Sequence, residues 1–76
     1  MEKKVEQIFR EVMELDDDQQ LSGDMSSDNM EEWDSIASMS LVMKLEEAFG
    51  IKYEFDDIVQ MDSLEAIKKV TAGKVQ

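Results

Sequence analysis

The 76 residues include neither histidine nor cysteine, so any chemistry rests on carboxylates and hydroxyls. That excludes thiol nucleophiles, imidazole acid–base catalysis, disulfides and Cys/His zinc sites. Carboxylate pairs alone serve some hydrolases, but so small a domain has little room for a cleft that drives two carboxyl pKa values apart. No enzyme is expected. Two Asp-Ser pairs, Asp34-Ser35 and Asp62-Ser63, each precede an apolar pattern of helical period. Aspartate is a good helix cap, so a serine after it often means no more than a helix start. Asp24-x-Ser26-x-Asp28-Asn29, with Glu32 further on, begins like a calcium loop. It then fails, because Ser35 stands where the bidentate Glu belongs and Asn29 where the turn needs Gly. No metal site is expected.

The elements that would position these groups are all helical. Val5, Ile8, Phe9, Val12 and Leu15 repeat at i, i+3, i+4 and i+7, which predicts an amphipathic helix from about Glu2 to Leu15. A long polar, acidic connection then runs to Asp34, with Leu21, Met25, Met30 and Trp33 as its only anchors. Asp34 caps the second helix, which Gly50 ends after Phe49. Ile51 to Phe55 alternates apolar and polar; a lone strand has no partner, so it reads as an extended connector. Phe55 to Val59 makes one short turn. Asp62, with Glu65 closing a capping box, begins a last helix that buries Leu64, Ile67 and Val70. The fold expected is all-α: a small four-helix bundle of three main helices and one short one, forming a single domain over residues 1–76.

The run from Trp33-Asp34-Ser35-Ile36 through Leu41-Val42-Met43-Lys44-Leu45-Glu46-Glu47-Ala48-Phe49 resembles the acyl carrier protein family. Phe55-Asp56-Asp57-Ile58 and Met61-Asp62-Ser63-Leu64 are similar to the family's third and fourth helices, so the resemblance covers essentially the whole chain. It implies a carrier of acyl intermediates for fatty-acid, polyketide or dedicated biosynthetic enzymes, held as thioesters on a 4'-phosphopantetheine attached to Ser35 from coenzyme A, with Asp34 as motif residue and cap. A helix N-terminus, with unpaired N–H groups and a positive dipole end, suits a phosphodiester. Ser63 has a similar motif, but only thirteen residues follow it, where the family pattern needs two more helical segments.

At 100° per residue, Leu41, Val42, Leu45, Ala48 and Phe49 share the core face of the second helix. Ile36, Met39 and Met43 fall on another sector, edged by Glu46 and Glu47, which the resemblance makes the docking surface for enzymes. Fatty-acid carriers usually have acids where this chain has Ala37 and Ser40. That departure points toward a dedicated pathway; the alternatives are an aminoacyl or peptidyl carrier, or a bundle that only binds partners. The implied partners are a phosphopantetheinyl transferase, an acyl-activating ligase or acyltransferase, and synthases with basic docking surfaces.

A formal charge of −11 favours basic protein surfaces over nucleic acid or anionic membranes. No apolar stretch suits a signal segment or a membrane span, so a cytoplasmic monomer is expected. Crowded acids on a thin core predict that mild acid and salt both stabilise the fold.

Overall fold

The computed structural model describes residues 2–75 as four helices: α1 (Glu2–Met13), α2 (Ser35–Phe49), α3 (Phe55–Gln60) and α4 (Leu64–Val75). A single antiparallel bridge, Ser26 to Ser63, is the only β pairing among the described residues. The architecture is the all-α bundle of three main helices and one short helix.

Helix α1 stops at Met13, two residues short of the expected Leu15. The reason is Glu14, which takes the left-handed conformation at φ 58°. Its N–H donates to the Glu11 carbonyl, and the Leu15 N–H reaches back to the Arg10 carbonyl at 2.8 Å. This is the paired closure that usually uses glycine, and α2 ends in the same way on Gly50, at φ 64°. An L side chain in that region costs about 1–2 kcal/mol, partly offset by the wider freedom of glycine in the unfolded chain. Glu14→Gly is therefore expected to stabilise the fold by up to about 1 kcal/mol, raising Tm by several degrees in thermal unfolding.

The core gathers Val5, Ile8, Phe9 and Met13 of α1, Leu41 and Leu45 of α2, and Leu64 and Ile67 of α4. Trp33, Tyr53 and Met61 join from the connections, and the Trp33 ring meets Phe9 edge-on at 5.4 Å. Four sequence expectations need correction here. Ala48 is exposed, and it lines a shallow groove between α1 and α2 beside Lys4, Lys44 and Glu47. Val42 and Phe49 are only half-buried against the core. Val70 is half-buried too, and the inner position next to it belongs to Thr71, with no exposed surface. Burying that hydroxyl is tolerable because it pairs with the Tyr53 hydroxyl at 2.6 Å.

The long connection is stitched to the start of α4. Leu64 N–H donates to the Met25 carbonyl at 2.9 Å, and Glu65 N–H to the Gly23 carbonyl at 3.0 Å. Ala66 N–H donates to the Ser63 Oγ at 3.1 Å. The cap is thus Ser63 rather than Asp62, because pairing with Ser26 holds Ser63 at the extended position from which α4 starts. Glu65 is exposed, its backbone engaged by Gly23. Every early N–H of α4 has an acceptor.

Helix α3 buries no residue of its own. Asp57 ties it down, accepting from the Glu54 N–H at 2.7 Å and from Lys74 of α4 at 2.6 Å. Lys74, followed by the Glu54 amide, holds the Asp57 carboxyl below its ordinary value of 3.8, and Asp57 in turn raises Lys74. Lys68 does the same for Glu6, lowering it from 4.5 through a 2.6 Å contact between α4 and α1. At these two carboxylates the shift runs opposite to the one crowding would give, because each has found a cation. A depressed carboxyl pKa contributes stability above its unfolded value, and loses it as pH falls through the folded one. As pH falls past 4.5 and then 3.8, these two pairs are therefore expected to lose their contribution to Tm, and replacing Lys68 or Lys74 by Met should remove that part of the acid loss. Circular-dichroism melts across that range check the sign.

Candidate functional site

The two Asp-Ser helix starts, so alike in sequence, differ in structure. At α4 the long connection closes the N-terminus, and the half-buried Ser63 hydroxyl is occupied as the cap. At α2 the cap is Asp34, in extended conformation, whose carboxylate accepts the Ala37 N–H at 2.8 Å. Its carbonyl accepts the Ser38 N–H at 2.9 Å. Among the described residues no acceptor faces the N–H groups of Ser35 and Ile36, and the Ser35 side chain is exposed. An open hydroxyl next to two open N–H donors, at the positive end of a fifteen-residue helix, is a fit for a phosphodiester.

Ile36, Met39 and Met43 lie exposed on α2, opposite its core face, at 76%, 67% and 65% of their full surface. Glu47 is exposed beside them. Glu46 is half-buried, and its Oε2 accepts the Tyr53 N–H at 2.8 Å, fastening the connector after α2. Of the two acids at that edge, Glu46 therefore has a structural task, and Glu47 has no hydrogen-bond or ion-pair partner among the described residues. The sequence reading missed Phe55 and Val59, which α3 leaves 77% and 61% exposed. Their signal was that so short a helix cannot turn every apolar residue inward.

Ala37 and Ser40 line a groove toward α1 together with Glu11, Glu14, Glu32 and Asp34. Ala37 is buried there. Lys44 lines the groove as well, so a further acid at either place would add to four carboxylates and one cation.

Trp33 closes the long connection just ahead of Asp34. Its indole N–H donates to the Ser38 Oγ at 2.8 Å. Both residues also wall a small cleft of about 110 Å³ between α2, α3 and α4, otherwise lined by Leu41, Val42, Ile58, Met61 and Ile67.

Comparison with known proteins agrees with this geometry. The family model described as the phosphopantetheine attachment site matches residues 3–70. Among solved structures, the fold is similar to the holo acyl carrier protein of Geobacter metallireducens, determined by solution NMR. The TM-score is 0.85 at 23% identity, over 97% of this chain and 84% of that one. It is also similar to a Mycobacterium tuberculosis protein described as an acyl carrier protein, with TM-score 0.83 at 17% identity over 95% of each chain. At such identities the likeness shows the fold. No curated protein sequence matches at a significant level. With some nine-tenths of its length inside the family model, and an open serine hydroxyl at a helix start, the chain belongs to the phosphopantetheine attachment-site family and is a carrier rather than an enzyme.

Proposed function

We propose that Ser35 is the attachment residue, and that the protein carries acyl groups for a dedicated biosynthetic pathway. The observation that supports this reading is the contrast at the two helix starts, open at Ser35 and closed at Ser63. In the attachment reaction the Ser35 Oγ attacks the coenzyme A phosphorus that bears pantetheine. A new P–O bond forms, the pyrophosphate P–O bond breaks, 3',5'-adenosine bisphosphate leaves, and the serine proton passes to a base of the transferase. The bound group supplies the thiol that this chain lacks, so that cargo is held as a thioester. The test is intact mass after incubation with coenzyme A and a phosphopantetheinyl transferase. A gain of one phosphopantetheine is expected, and an unchanged mass overturns the reading.

Asp34 holds the start of α2 through its cap. Ile36, Met39 and Met43 form the apolar centre of the docking surface. Glu47 steers basic partners toward it, and Glu46 adds charge while keeping the connector in place. Those partners are the transferase, an acyl-activating ligase or acyltransferase, and synthases with basic faces. A charge of −11 supports protein rather than nucleic acid or anionic lipid as the counterpart, and we place the protein in the cytoplasm as a monomer of one domain. No helix among the described residues is long and apolar enough to cross a membrane. The cleft by Trp33 is smaller than the ~150 Å³ cavity that holds benzene, so a long cargo does not fit in it unless the side chains that line it move. Neutral Ala37 and Ser40 favour a dedicated ligase over the general fatty-acid enzymes, with aminoacyl cargo as the second reading.

A further inference from the structure

The stretch before Ser35 has an unusual mechanical problem. Residues 16–32 are a polar connection in which nothing is buried outright, and they lead directly into the two residues that must present the reactive hydroxyl. Movement of that connection would carry Asp34 and Ser35 with it. Trp33 stands between them, held in three ways. Its ring is 4% exposed and set edge-on against Phe9 of α1 at 5.4 Å. Its backbone N–H donates to the Met30 carbonyl at 3.2 Å. Its indole N–H donates to Ser38, one turn into α2, at 2.8 Å.

Resting on the assignment of Ser35, we infer that the Trp33–Ser38 hydrogen bond is a positioning clamp for the attachment reaction. Together with the Asp34 bonds to Ala37 and Ser38, it closes a ring from Trp33 through Asp34 to Ser38 that isolates Ser35 from the loop. Neither partner lies on the exposed face of α2: Trp33 is buried and Ser38 half-buried. Both therefore act through Ser35 rather than by touching a docked transferase. Serine is a poorer helix former than alanine, so a serine at position 38 has a local cost that this bond offsets.

Trp33→Phe keeps the ring and deletes the N–H, and Ser38→Ala deletes the acceptor. The rate of mass gain from coenzyme A is measured for each, for the double variant and for Ser35→Ala, at a temperature where circular dichroism shows all of them folded. Each single variant is expected to lose about three- to tenfold, the range of one neutral hydrogen bond. The loss should fall on kcat with KM unchanged, because the docking face is intact. The double variant should be no slower than the slower single, since both remove one bond. Wild-type rates in either single variant, a loss carried by KM, or a double loss equal to the product of the singles would overturn the clamp. Ser35→Ala separates the two claims. If it still gains mass, the attachment assignment fails. If it gains none while the clamp variants react normally, only the clamp fails.

Discussion

Ser35→Ala is expected to abolish the mass gain with coenzyme A and transferase, while Ser63→Ala keeps it. The attachment signal should fall from complete to none, because Ser35 offers an exposed hydroxyl with two open N–H groups for the phosphodiester. The fold should barely respond, since the cap of α2 is Asp34 and position 35 tolerates alanine in a first turn. Ser63→Ala inverts the pattern. It removes the acceptor of the Ala66 N–H and should cost about 1 kcal/mol, as lost caps do. Modification and melting, measured on both variants, thus separate two serines that share one sequence motif. Mass gain surviving in Ser35→Ala would reassign the site.

The second large effect separates core from docking surface on one helix. Leu45 is fully buried and Met43, two residues earlier, is 65% exposed. Leu45→Ala should cost about 2–5 kcal/mol. A chain of this length has roughly 4–11 kcal/mol in all, so much of the stability would go. Met43→Ala should stay within about 0.5 kcal/mol of wild type while slowing transfer to a partner enzyme through lost contact. Glu47→Lys should lower the on-rate and flatten its dependence on salt, because it removes steering charge and leaves the apolar contacts. Chemical denaturation and stopped-flow transfer read the two quantities apart. A Met43→Ala variant that unfolds as readily as Leu45→Ala would return that residue to the core.

What the sequence made legible, and what it hid, follows from how local each cause is. Helical period placed α1, α2 and α4, because an apolar stripe must be buried whatever it packs against. Gly50 announced the end of α2, whereas the same closure at Glu14 carried no glycine signal and went unseen. The cap of α4 was misread one residue early because its true cause, pairing of Ser63 with Ser26, lies in another part of the chain. Thr71 escaped for a similar reason: a polar residue enters the core only when a distant partner, Tyr53, satisfies it. At the site, the exposed run Ile36, Met39 and Met43 could be read from spacing, whereas Asp34-Ser35 stood out only through the family resemblance of the run around it. The second duty of Glu46, the link from Trp33 to Ser38, and the difference between two serine-bearing helix starts are tertiary facts.

The bonds from Gly23 and Met25 to α4 also tie the end of the chain to its middle. They join residues 42 and 39 positions apart, Gly23 with Glu65 and Met25 with Leu64. Helical bundles fold fast when their contacts are local, and closing a loop of this length must precede any return from these bonds. The first turn of α4 can be completed only after the connection has come to rest against it. Weakening this seam should leave the folding rate nearly unchanged and speed unfolding, as contacts formed after the transition state do. In the intact protein the start of α4 and the connection would then open together, because each supplies the other's backbone partners.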